Sequence, residues 1–178
     1  MLFEIDSVNV SNYEGKYIAN TFIEQKLYHA PNYHCNVPIV VSFYDSDNKR
    51  YDFKHKISDQ FSNISDTLSF IPSFWTLNED QYLNNSQLGV TQYYLPNKSY
   101  ILTEEKTSIE TNDLQSDSIL LRIEHIWGAP DSIKNKPVSS DFFISDQHYW
   151  VVNGILEDNN DIKMSFPYLG FKESDIRL

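Results

Sequence analysis

A chain of 178 residues with 40% apolar and 22% charged residues can bury a core and is too apolar for wholesale disorder. Its formal charge of −11 argues against partners bound through clustered Lys and Arg, so neither nucleic acid nor an anionic membrane surface is expected. A single cysteine, Cys35, rules out an internal disulfide and a thiolate zinc cluster, and no run approaches the roughly 18 apolar residues of a membrane-spanning helix.

Aromatic residues make up 15% of the chain, 12 Tyr and 11 Phe among them, and such side chains suit a half-buried pleated surface better than a helix. The opening Met1-Leu2-Phe3-Glu4-Ile5-Asp6 alternates like a strand, where a signal peptide would carry a basic and then an apolar stretch, and a strand is expected over 3–10. Residues 17–28 alternate Tyr17, Ala19, Thr21, Ile23 and Leu27 against Ile18, Phe22 and Tyr28, until Pro31 closes the run. Two alternating runs, 37–44 and 51–57, flank the turn formers Asp45-Ser46-Asp47-Asn48-Lys49-Arg50 and read as a β-hairpin.

Short strands are expected over 67–71, 74–77, 90–95 and 99–103, separated by Asn, Asp, Ser and Pro. Residues 104–117 are polar, with only Ile109 and Leu114 to bury, and read as an exposed connection or a short helix. In 119–127, Ile119, Leu121, Ile123, His125 and Trp127 share one face while Arg122 and Glu124 take the other, the pattern of a half-buried strand. A last strand is expected over 149–155. Together these patterns predict an all-β chain: an immunoglobulin-like antiparallel β-sandwich over 1–103 and a second, smaller β-unit over 104–178, or both as parts of one continuous β-domain.

The residues that could carry chemistry are few. A zinc peptidase needs two histidines one helical turn apart with a glutamate beside the first, and His29, His34, His55, His125 and His148 offer no such spacing. His29, His34 and Cys35 around Pro31 read as a loop rather than a metal site. No Gly-x-Ser-x-Gly turn exists to present a serine nucleophile to His125 and Asp131. Calcium could be held by Asp45, Asp47 and Asp52, or by Asp158 and Asp161 beside Asn159 and Asn160, since it takes several oxygens from one loop. Turns use the same residues for conformational reasons, so no metal, no cofactor and no catalytic residue is expected. Asn9, Asn63, Asn84 and Asn97 are acceptors for N-glycosylation wherever the host glycosylates secreted proteins. Trp75, Tyr93, Tyr94, Tyr149 and Trp150 could form a stacking platform for a glycan or pack between sheets.

The runs Ile123-Glu124-His125-Ile126-Trp127-Gly128-Ala129-Pro130-Asp131 and Ile144-Ser145-Asp146-Gln147-His148-Tyr149-Trp150-Val151-Val152-Asn153-Gly154-Ile155 resemble the carboxy-terminal region of aminopeptidase-N-like (gluzincin) zinc metallopeptidases of Bacteroidota. Gln25-Lys26-Leu27, Asn36-Val37-Pro38-Ile39-Val40-Val41-Ser42-Phe43 and Trp75-Thr76-Leu77-Asn78 resemble the same proteins' β-sandwich. The resemblance implies a module that follows a catalytic domain, with no zinc ligand or catalytic glutamate matched in this chain. It also implies export, with the leader outside this chain and an upstream peptidase-like domain as partner. Met1 directly before a strand departs from that pattern and suggests either an excised fragment or a free-standing relative.

The expected function is therefore that of a non-catalytic accessory module of a secreted or cell-surface protein. In it His125, Trp127, Pro130, Asp131, Tyr149 and Trp150 are structural, Pro130-Asp131 ending a strand and Tyr149-Trp150 anchoring the second unit. The alternatives are a carbohydrate- or surface-binding sandwich and an independent hydrolase, which would need a deep cleft gathering His125 or His148 with carboxylates.

Overall fold

The computed structural model describes residues 1–27, 30–83, 85–128, 147–156 and 159–167. Among the described residues the regular elements are twelve β-strands, and there is no helix. The all-β expectation holds. Packing divides the chain into two units, Met1–Thr91 and Gln92–Leu178.

In the first unit, β1 (Leu2–Tyr13), β2 (Lys16–Lys26) and β5 (Phe61–Leu68) form an antiparallel sheet in the order β1-β2-β5. A second antiparallel sheet, in the order β4-β3-β6, is built from β3 (Val37–Tyr44), β4 (Arg50–Ile57) and β6 (Phe74–Leu77). Alternation decides which face each side chain takes. Ala19, Ile23 and Leu68 from one sheet meet Val37, Ile39, Val41, Phe43 and Leu77 from the other in one core, which makes the unit a sandwich. The expected hairpin at Asp45 to Arg50 is present as β3–β4, with Tyr44 paired to Arg50.

The β1–β2 hairpin closes on Glu14 (φ 50°) and Gly15 (φ 79°) between the paired residues Tyr13 and Lys16. Positive φ at both central positions is the primed turn that matches the twist of the flanking strands, and Gly15 adopts it without a Cβ clash. β5 spans Phe61–Leu68 rather than the expected 67–71, and its inward row reads Ile64, Asp66, Leu68, with a carboxylate interrupting the apolar period. Asp66 is buried there because His55 Nε2 lies 3.0 Å from both of its oxygens.

The second unit contains a sheet in the order β11-β10-β7, made of β7 (Gln87–Tyr94), whose residues span the division, β10 (Ile119–Ile126) and β11 (Tyr149–Ile155). Its other sheet, β12-β9-β8, contains β8 (Lys98–Leu102), β9 (Thr107–Thr111) and β12 (Ile162–Ser165). Tyr94, Ile109, Leu114, Ile119, Leu121 and Ile123 form the core between them.

Within 104–117, residues 107–111 are neither an exposed connection nor a helix but a strand, while 112–117 are irregular and largely exposed around the buried Leu114. The chain turns from β8 into β9, the central strand of its sheet, whose inward row is Thr107, Ile109, Thr111. The two threonines are tolerated inside because their hydroxyls donate to main-chain oxygens, Thr107 to Ser165 and Thr111 to Leu95. The division at Thr91/Gln92 accordingly falls before the 103/104 boundary expected from the polar composition.

β10 also differs from its half-buried pattern. Lying between two strands, it is buried on both faces, and Arg122 is enclosed with its guanidinium Nε donating to Glu124 Oε1 at 2.7 Å. On β11, Gly154 faces Leu121, and a Cβ there would lie 2.3 Å from the Leu120 carbonyl oxygen. Gly154→Ala is therefore expected to destabilise the second unit by about 1–3 kcal/mol, read from the urea midpoint at unchanged slope.

Candidate functional site

The densest grouping of chemistry-bearing side chains in the second unit follows from period two on two paired strands. His125 on β10 stands in register with Trp150 on β11. Each has a ring two residues away on the same side, Trp127 after His125 and His148 before Trp150. Stacking results: His125 lies 4.5 Å from Trp150 at an interplanar angle of 9°, and 4.1 Å from Trp127 at 38°. His148 is 4.9 Å from Trp150, and Phe166 extends the array 5.4 Å beyond it.

The imidazole of His125 is 0% exposed. Its Nε2 faces His148 Nδ1 at 3.0 Å, a contact that carries one proton whichever ring supplies it. Its Nδ1 has no partner among the described residues. Burial therefore pushes the His125 pKa down to about 4, with the nearby charges of His148 and Lys106 acting in the same direction. The two indoles favour an imidazolium by cation–π attraction, a smaller effect than the loss of water around a fully enclosed ring.

The array is tied to the other sheet through Glu105, in the turn between β8 and β9. Trp150 Nε1 donates to the Glu105 main-chain oxygen at 2.8 Å. The Glu105 side chain is itself buried, and that burial raises its carboxyl pKa against the opposing pull of Arg122. Phe166 also belongs to an open groove of about 570 Å³ lined by Ile101, Leu102, Lys106 and Pro167 among others. Ile101 on its rim is 82% exposed. Neither histidine lines this groove.

The other residues singled out from the sequence are dispersed. Tyr149 is half-buried on β11 beside Trp150, whereas Pro130, Asp131 and Asp158 lie outside the described residues. Of the two alternatives for the aromatic residues, the stacking platform does not assemble as a set: Trp75 packs on the core of the first unit, and Tyr94 is 0% exposed inside the second. His34 and Cys35 are both exposed, while His29 lies outside the described residues.

The calcium-type loop is occupied by protein donors. Asp45 Oδ1 accepts the main-chain N–H groups of Asp47 and Lys49, each at 2.9 Å, and its Oδ2 accepts the Tyr51 hydroxyl. The hydrogen bond from Lys49 is the largest cause that lowers the Asp45 pKa. Asp52 accepts Ser42 Oγ and Arg50 Nε, both at 2.7 Å, and Asp47 is exposed. In the other acidic loop, Asp161 Oδ2 accepts Asn112 Nδ2 at 3.0 Å. Among the described residues no three His, Cys, Asp or Glu side chains gather as a metal ion requires.

Sequence reasoning missed His55 with Asp66 and the buried Glu105. Only a polar residue in phase with an apolar row could have signalled Asp66. Compared with known proteins, the chain matches no family, no curated sequence and no solved structure.

Two outcomes follow from the stacked imidazole. The unfolded chain protonates His125 near 6.5 while the folded chain waits until about 4, so the unfolded state binds more protons in between. This part of the stability is full above pH 6.5 and is lost as the pH falls towards 4, amounting to about 3 kcal/mol in all. His125→Phe keeps a stacked ring and removes that proton, so urea titrations at pH 7 and 4.5 should show a flatter pH dependence than wild type. Trp150→Ala is expected to cost about 2–4 kcal/mol. Trp150→Phe, which loses only the N–H donor and some ring area, should cost about 1–2 kcal/mol in the same titration.

Proposed function

We propose that this chain is a non-catalytic accessory β-module of a secreted or cell-surface protein, docked beside a metallopeptidase-like domain. The observation that carries the reading is the state of His125, the imidazole best placed by sequence to act as a base. It is fully enclosed, stacked on Trp150 and held neutral, whereas a general base must reach a substrate proton. The runs that resemble the metallopeptidase carboxy-terminal region supply β10, β11 and the rings between them, so His125, Trp127, His148 and Trp150 do packing work in the second unit. The open groove with Ile101 on its rim suits a surface that a neighbouring domain covers.

The natural gene product provides the test. Probed with an antibody against residues 1–91, it should appear outside the cell or on its surface as part of a longer, zinc-binding polypeptide. A free cytoplasmic product of 178 residues would contradict the proposal. So would turnover of peptide, ester or glycoside substrates by the purified chain that is lost in His148→Ala.

A further inference from the structure

The outward face of the β1-β2-β5 sheet in the first unit presents an ordered grid. The registers place Ser7, Phe22 and Asn63 in one row across the three strands. Asn9, Asn20 and Ser65 form the next row, and Ser11, Ile18 and Thr67 the third. The intervening residues Ala19, Thr21 and Asp66 are buried, which fixes these nine as the outer set.

None of the nine is ionisable, although the chain carries a formal charge of −11. Six of them carry an amide or hydroxyl group at the outer surface or its edge, and a seventh, Asn20, is oriented at the centre by the Ser65 hydroxyl, which donates to its side-chain oxygen. Phe61, 68% exposed, stands opposite Glu24 on this same face, diagonal to Phe22, which is 36% exposed.

We infer that this face binds a neutral polysaccharide laid across the strands. Asn, Ser and Thr both donate and accept hydrogen bonds, as sugar hydroxyls do, and a repeating ligand matches a repeating surface. Groups on the grid recur at about 4.8 Å across strands and about 6.8 Å along them. The exposed rings of Phe22 and Phe61 offer apolar faces to the C–H side of a sugar ring. The nine carry no cationic group, and the lysines of this face, Lys16 and Lys26, stand apart at its two ends with Lys26 paired to Glu4, so no cluster of positive charge is offered to a phosphate-bearing ligand. The thin apolar content, Phe22 and Ile18 among the nine, falls short of the core of a protein interface. This inference uses the first unit alone, so it and the accessory reading can fail independently.

The test is native affinity electrophoresis of the whole chain in gels containing hydroxyethylcellulose, mixed-linkage β-glucan, xylan or galactomannan. The protein should come from a host without N-glycosylation, because Asn9 and Asn63 lie on the face and fit the acceptor pattern. Retardation by at least one neutral polymer is expected. Phe22→Ala, Phe61→Ala and Asn63→Ala should each weaken it roughly tenfold at unchanged melting temperature, and Trp127→Ala in the second unit should leave it intact. Retardation by none of the four polymers would overturn the inference. So would retardation only by an anionic polymer such as polygalacturonate, or retardation that the face variants leave unchanged.

Discussion

A sheet with one apolar face must cover that face, and this constraint organises both halves of this chain. Each half resolves it by closing a second three-stranded sheet over the first. Phe43 and Ile23 in the first unit, and Leu121 and Ile109 in the second, are thereby withdrawn from solvent. A side chain of this size contributes about 1.5–3 kcal/mol when fully buried, so the inward rows outweigh any surface interaction. The exposed pairs, such as Lys163 with Glu110 at 3.3 Å, add little by comparison.

The same constraint explains why polar side chains are found inside. Once a sheet is covered, every inward position is enclosed, and a polar residue there must find a partner. Gln25, only 1% exposed, accepts the His34 N–H through Oε1 and donates through Nε2 to the His34 and Asp59 main-chain oxygens. It fastens two loops at one end of the first sandwich. Asp66 finds His55, and Thr111 finds the Leu95 main-chain oxygen. Not every group does: the Thr21 hydroxyl has no partner among the described residues, and His125 has one nitrogen satisfied by His148 and the other without a partner among them. The stacked indoles compensate through ring contact, and desolvation then dictates the neutral form. A group that looks like machinery in sequence is, in this setting, part of the wall.

Legibility in the sequence tracked how cleanly alternation was expressed. β3 and β4 were readable because apolar and polar residues alternate around a strong turn. β10 was readable as a strand yet not as a central one, since Arg122 looks solvent-facing until Glu124 and its covering strands are known. β9 was hidden because threonine fills two of its three inward positions, and β5 because Asp66 does so at one. The aromatic cluster was half legible. The phase of His125 and Trp127 could be read from one strand, but their meeting with Trp150 required the β10–β11 register, which the sequence does not contain. The neutral grid on β1, β2 and β5 is invisible for the same reason, since its rows are assembled from residues up to 56 positions apart, as between Ser7 and Asn63.

Whether the imidazole pair belongs to the interior or to a working site turns on the protonation of His125 in the native protein. The direct measurement is an NMR titration of its ring signals from pH 8 to the onset of unfolding, set against an ordinary imidazole at about 6.5. Enclosure between indoles predicts that His125 stays neutral until about pH 4 or until the second unit unfolds. Reversible protonation at or above pH 6.5 in a folded protein, with rapid solvent exchange of the ring, would contradict it.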